Sequence, residues 1–448
     1  MTISIRDIAE DILQKTLRRG PSEAEVFAVD STSTTIDVRD QKVDAFNIAS
    51  SRGIGLRVIL DGRLGFSYTS GLTSQATDRL IDESFVNAIN NEIDEYNGFT
   101  EGNNKSPLLD NYYDIDLKRV SEAEKIEKAM LLEKSALNYD SRIKKVRQAS
   151  YRDSENSTVI LNSRGVDISF NDTLCSTSIL SVAEDDSGSE TGWEFDFNRF
   201  YSKLEIEKVG VTAAQKAVGM LGARRIETCN LPAVLAPNVA ADFIGILTSS
   251  LYADSIQKGK SILGDKLQSN IASPVINLVD DGLLGGGIGS APVDSEGTSM
   301  QRTLLIKEGY LQKVLHNTYT ARKWGVSSTG NSIRMGFKGL PGVGVTNLFI
   351  EKGLPSEKDL IEDIKEGIYI SETMGVHTAN TISGDFSIGI SGYRIEKGEV
   401  LYPVKGIAIS GNILNFLNKI DGVADNLRFF GRIGSPGIKV SEVMISGS

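Results

Sequence analysis

The chain has 448 residues, a length that suggests two domains of roughly 200 residues each. Hydrophobic residues at 40% and charged residues at 24% are ordinary for a soluble globular protein, and no stretch nears the roughly 20 apolar residues that span a bilayer. The formal charge of −11 argues against binding nucleic acid through its phosphates, because the basic clusters, Arg142-Lys144-Lys145-Arg147 and Arg224-Arg225, are short. The two cysteines, Cys175 and Cys229, cannot build a disulfide framework, and Met1 to Asp7 lacks the features of an export signal. A cytoplasmic protein with reduced thiols and no membrane contact is the expectation.

Residues 5–18 read as an amphipathic helix, with Ile5, Ile8, Ile12 and Leu13 at helical spacing. Short strands follow at Ala24–Val29, Thr34–Val38 and Gly55–Leu60, and Asp61-Gly62 turns the last into Leu64–Tyr68. A second helix spans Ser74 to Asn91, and Glu92 to Pro107 reads as an exposed loop. Ser121 and Glu124 form a capping box that opens a helix to Tyr139. Strands fill 143–200, joined by Ser163-Arg164-Gly165 and by an acidic loop, Glu184 to Gly188. A helix near 203–222 leads to a domain boundary at 225, giving an N-terminal α+β domain (1–225) and a β-rich C-terminal domain (226–448).

The second half opens with a strand at Ala233–Leu235 and a helix with Asn238 as its N-cap and an apolar stripe through Val239, Phe243, Ile246, Leu247 and Leu251. Two hairpins echo each other, Leu304–Leu311 and Tyr393–Val400, each with a charged pair and a glycine at its tip. Ser356 and Asp359 cap a short helix ended by Gly367. The fold class is α+β, two domains of mixed or antiparallel sheets with packed helices.

The sequence carries few signatures of chemistry. The only histidines are His316 and His377, with no CxxC and no HExxH, so no zinc ligand set is visible. Asp185-Asp186 and Asp280-Asp281 are open as carboxylate-only cation sites, although adjacent acids usually lie in solvated turns. Lys258-Gly259-Lys260-Ser261 ends like a P-loop, but Asp254 stands where its first glycine belongs. Gly285 to Gly289 and Gly342-Val343-Gly344 lack dinucleotide spacing. No GxSxG elbow occurs, and His377 with Ser383 and Asp385 is a weak coincidence among many serines.

Several stretches together carry a family likeness. They are Asn277-Leu278-Val279-Asp280-Asp281-Gly282, Asp294-Ser295-Glu296-Gly297-Thr298, Thr329-Gly330-Asn331, Thr381 through Tyr393, and Tyr402-Pro403-Val404-Lys405-Gly406; Gly53 to Val58 fits more loosely. In order and spacing the chain resembles the TldD/PmbA family. That resemblance implies two paralogous subunits, TldD and PmbA (TldE), which associate into a cytoplasmic protease. The protease degrades small unfolded peptides and matures peptide precursors. The TldD type holds zinc with an HExxxH helix and a later Cys, its Glu serving as general base. The family was also once labelled a modulator of DNA gyrase. In this chain Gly245, Ile246 and Ser250 align with the His, Glu and second His, Gly434 to Gly437 stands where the Cys belongs, and no His lies in 226–315. The resemblance is therefore to the PmbA type.

The expectation is a PmbA/TldE-like subunit with no catalytic residue, metal ligand or cofactor of its own. Zinc is expected in a TldD-type partner, with heterodimer or homodimer assembly and a peptide substrate. Gly286, Gly287, Ser383, Gly384, Asp385 and Gly389 are the candidate peptide contacts, where backbone can approach a substrate; the alternative is that these glycines serve bulges and turns. Two other functions stay open, a non-catalytic peptide-binding or scaffold homodimer and a regulator linked to gyrase.

Overall fold

The computed structural model describes residues 4–102 and 111–447. The N-terminal half contains α1 (Ile5–Leu17), β1 (Glu23–Arg39), β2 (Lys42–Leu60), β3 (Arg63–Thr69), α2 (Ser74–Ile89), α3 (Glu122–Leu137), β4 (Ile143–Asn162), β5 (Asp167–Asp185), β6 (Gly188–Asn198) and α4 (Ile206–Gly219). Its strands form one antiparallel sheet in the order β3-β2-β1-β4-β5-β6. Helices α1 and α2 bury Ile12, Leu80 and Ile81 against Val26, Leu56 and Val58. Helices α3 and α4 bury Leu132, Val209 and Ala213 against Ile36, Tyr151 and Ile179. Strand alternation leaves Ser33, Thr35 and Asp37 half-buried on the opposite face.

The segments expected as separate strands, 24–29 and 34–38, are one strand, and the strand expected from Gly55 starts at Lys42. The polar residues between them pair with each other, Ser31 with Ser51 and Thr32 with Ser50, so a backbone ladder rather than side-chain burial sustains this part of the ribbon. Its tip, Asp40-Gln41, takes φ of 53° and 55°, the left-handed pair of a tight hairpin turn, and Asp61-Gly62 does the same at 48° and 77°. The capping box at Ser121 and Glu124 is present. Glu92 to Gly102 runs as a loop bridged once to β3; the expected loop's remainder, 103–107, lies outside the described residues.

The C-terminal half contains β7 (Cys229–Leu235), α5 (Pro237–Thr248), α6 (Ala253–Gln257), β8 (Leu278–Asp281), β9 (Arg302–Lys307), β10 (Tyr310–Leu311), α7 (Thr318–Trp324), β11 (Ser332–Ile333), β12 (Gly342–Val343), β13 (Leu348–Ile350), α8 (Glu357–Glu362), β14 (Glu366–Met374), β15 (Asp385–Glu396), β16 (Glu399–Asn412), α9 (Ile413–Asn418), β17 (Ile420–Val423), β18 (Arg428–Phe430), β19 (Ile433–Ser435) and β20 (Ile438–Ser446). One sheet runs β16-β15-β14-β7-β20-β17 and curls until β16 also pairs with β20. A second runs β10-β9-β8-β13-β19-β18, while β11 and β12 pair separately. Both large sheets are mixed, with β7–β14 and β13–β19 parallel. The architecture is α+β, as expected from the sequence. No helix among the described residues is long and apolar enough to cross a membrane.

Helix α5 belongs to the shared core of these sheets. Phe243 is fully buried, stacks on Phe416 at 4.4 Å and meets Phe386 edge-on. The expected N-cap is corrected: Ala236 is the cap, Pro237 takes the first helical position, and Asn238 donates instead to the Ser371 carbonyl. Gly367 does not end the short capped helix either; α8 stops at Glu362 and Gly367 lies in β14.

The acidic motif residues tie loops together. Asp280 accepts from Asn331 Nδ2 at 2.6 Å and from the Thr346 amide and hydroxyl. Asp294 accepts from the amides of Glu296, Thr298 and Ser332. Glu296 accepts from the Thr318 amide and from Arg57 of the N-terminal half. Buried carboxylates saturated by protein donors are structural ties.

Candidate functional site

Between the two halves, alongside the start of α5, lies a cavity of about 600 Å³ walled by β6, α4 and the far end of β14. A smaller one of about 250 Å³ sits further along α5, lined by Asp242, Gly245, Ile246, His377 and Ile433. Phe430 lines both, and the two meet where the Thr373 hydroxyl bonds to the Asp242 carboxylate.

Each wall has a local reason. On β6 alternation sends Trp193, Phe195 and Phe197 to one face, where their rings stack at 4.9 and 5.9 Å. Glu194 points to the other face and is buried, 2.5 Å from Arg428 Nη2 and 3.4 Å from Lys216 Nζ. Burial works against that carboxylate, but Arg428 and Lys216 outweigh it and hold it below the usual range. Lys216 on α4 also reaches Glu372 at 3.0 Å. Burial pushes the Asp242 carboxyl up, only partly offset by the Thr373 hydroxyl.

The predicted positions divide. Gly245 and Ile246 line the smaller cavity, and Gly245 faces Ile433, so α5 and the 433–437 stretch do adjoin. Ser250 is buried with its hydroxyl on the Thr381 carbonyl. Ser383, Gly384 and Asp385 form one turn, Ser383 Oγ donating to Asp385 at 2.7 Å, just beyond the cavity-lining Thr381. Gly389 pairs with Met374, a residue of the larger cavity. Gly286 and Gly287 are elsewhere, in the β8–β9 loop, where the Gly287 carbonyl accepts from Arg199. Asp242, Glu194, Lys216 and Arg428 were not anticipated. Asp242 carries a readable signal, as the one acid in an otherwise apolar helix turn; the Glu194 cluster joins distant segments and carries none.

Helix α5 offers a single carboxylate, and among the described residues no group of three or more His, Cys, Asp or Glu side chains is placed to hold a metal. Asp280 has both oxygens engaged, and Asp185 folds back on Ser187 in the β5–β6 turn.

The chain matches three family models: PmbA/TldA metallopeptidase domain 1 over residues 24–95, the central domain over 115–221 and the C-terminal domain over 228–447. It is 28% identical to the metalloprotease PmbA of Escherichia coli O157:H7, over 99% of this chain and 97% of that protein. It is 27% identical to the metalloprotease TldD homolog of Haemophilus influenzae, over 91% and 89%. A Thermotoga maritima crystal structure, named for a proposed modulation of DNA gyrase, superposes with a TM-score of 0.92 at 25% identity, covering 99% of this chain and 100% of that one. TldE from Thermococcus kodakarensis, at 23% identity, shares the fold with a TM-score of 0.89 over 98% and 100%. With all three family models matched in order along a two-half α+β chain, this protein belongs to the PmbA/TldD metallopeptidase family.

Proposed function

We propose that this chain is the zinc-free, PmbA/TldE-like subunit of a two-chain cytoplasmic peptidase, pairing with a TldD-type paralogue and walling a chamber for small unfolded peptides. The observation that carries this reading is the composition of α5. At the place of the expected zinc helix it presents Asp242, Gly245 and Ile246, with no imidazole anywhere in 226–315. The cleft beside it supports a peptide ligand. Strand β14 pairs with β7 only as far as Ile370; Asn238 holds the Ser371 carbonyl, and Glu372 to Met374 run on along the cavity, an edge to which an extended chain can add.

The test is coexpression with a TldD-type paralogue, followed by copurification, elemental analysis and assay on unfolded peptides. The expected result is a stable complex with chelator-sensitive hydrolysis and zinc in the partner alone. Stoichiometric zinc in this chain, or chelator-sensitive hydrolysis by it alone, overturns the reading.

A further inference from the structure

We infer that the larger cavity is a side-chain pocket for an uncharged, bulky apolar residue in the interior of an extended peptide; this rests on the peptide reading above and names its substrate class. Two observations carry it. The first is the wall. Trp193, Met220, Tyr369, Met374, Tyr393 and Phe430 give the cavity an apolar and aromatic surface, and about 600 Å³ suits one or two residues of a peptide. Trp193 is still half exposed, so part of that surface lacks a cover.

The second is charge. Every charged side chain lining the cavity already has a partner: Glu190 with Lys405, Glu194 with Arg428 and Lys216, and Lys216 with Glu372. The three acids and three bases balance, which leaves no spare counterion. A charged side chain or a chain terminus entering here would lose water without gaining a partner or would break an existing pair, and both are costly. The backbone edges agree. On β6 the Trp193 and Phe195 carbonyls are occupied by Lys216 and Arg428, which blunts that edge. Beyond Ile370, among the described residues, no strand lies beside β14 on the β7 side; Asn238 holds the Ser371 carbonyl there, and Glu372 to Met374 are left as the stretch of β14 along the cavity beside which a peptide backbone can lie.

Trp193 is also a reporter, since the chain has two tryptophans and Trp324→Phe leaves it alone. The probe is an N-acetylated, C-amidated glycine-rich hexapeptide with one central phenylalanine, compared with alanine and glutamate analogues and an unblocked dipeptide. Titrations use the full chain and then its complex with the paralogue. The expected result is binding of the phenylalanine peptide about tenfold or more tighter than the alanine peptide, from burial of one aromatic side chain, with the glutamate peptide weakest. Met374→Arg, at a position 58% exposed, should erase that preference without moving the melting temperature. Thr212→Arg, from the α4 wall, is the second plug if the first disturbs folding. Equal binding of the three peptides, preference for glutamate or for the free dipeptide, or no binding overturns the inference. A complex that forms and cleaves without side-chain preference removes this inference alone; failure of any complex to form removes the subunit reading instead.

Discussion

Arg57 Nη2, on the N-terminal sheet, lies 3.1 Å from Glu296 Oε1 in the C-terminal half, and both side chains are almost fully buried. The same guanidinium grips Glu25 with two bonds of 2.9 and 2.7 Å, and Arg334 reaches Glu25 from the C-terminal side. Two acids and two bases thus neutralise one another across the junction, with Phe99 and Phe27 rings against the guanidiniums. Breaking such a group strands a buried charge. Arg57→Ala should cost about 3–5 kcal/mol and let the halves unfold separately, seen as a split urea transition.

Arg199 should matter in a different way. Its Nη2 donates to the Gly287, Ile288 and Ser290 carbonyls, while Nη1 holds Asp172. Arg199→Lys keeps the charge but not the fork. Limited proteolysis within 284–290 should become several-fold faster, with little change elsewhere.

Gly53 and Gly55 test how closely the halves approach. A methyl at Gly55 would lie 2.5 Å from the Phe337 carbonyl oxygen, and one at Gly53 would lie 2.3 Å from the Phe337 ring. A ring can turn and a backbone cannot. Gly55→Ala should therefore be the worse of the two, at about 1–3 kcal/mol in chemical denaturation.

His316 gives the acid side of the stability curve. Burial pushes its pKa down to about 4, and Nδ1 has no hydrogen-bond partner while the ring lies 5.0 Å from that of Trp324, tilted by 59°. The unfolded chain takes up a proton near pH 6.5 that the folded chain refuses. The contribution is complete above that pH and is lost as pH falls toward 4, on the order of 2 kcal/mol. Melting temperatures of His316→Phe should fall less steeply across that window than those of the native protein.

The thiols should differ sharply. Cys175 is buried, and burial pushes its pKa up to about 12, whereas Cys229 is partly exposed. Titration with a thiol reagent at pH 8 should modify Cys229 in the folded protein and reach Cys175 only in denaturant.

Much of the fold was legible because local chemistry and global fold agree. Ser121 with Glu124, and the turns at Asp61-Gly62 and Glu308-Gly309, announce themselves by residue type alone. Residues 30–33 and 42–54 of the ribbon did not, since Ser and Thr on an open sheet face show no apolar alternation. Asn238 misled because a good capping residue stood one position inside a helix that Pro237 had already started. The family motifs were readable, but their work was not: Asp280 looks like a ligand in a string of letters and is a loop tie in space, as is Asp294. The cleft escaped entirely, since Glu194, Lys216 and Arg428 come from segments that only tertiary structure joins.

The place of β20 sets a constraint on biosynthesis. It lies between β7, the first strand of its half, and β17, so residues 229–235 gain that neighbour only when residues 438–446 have been made. A nascent chain halted at Gly437 would present Leu231, Ala233 and Leu235 beside a missing strand, sticky and open to degradation. The N-terminal half, whose sheet is complete by Asn198, can finish while still tethered to the ribosome. Closure of the sheet containing β7 therefore waits on residues 438–446, and a chain truncated before them leaves the β7 edge unpaired.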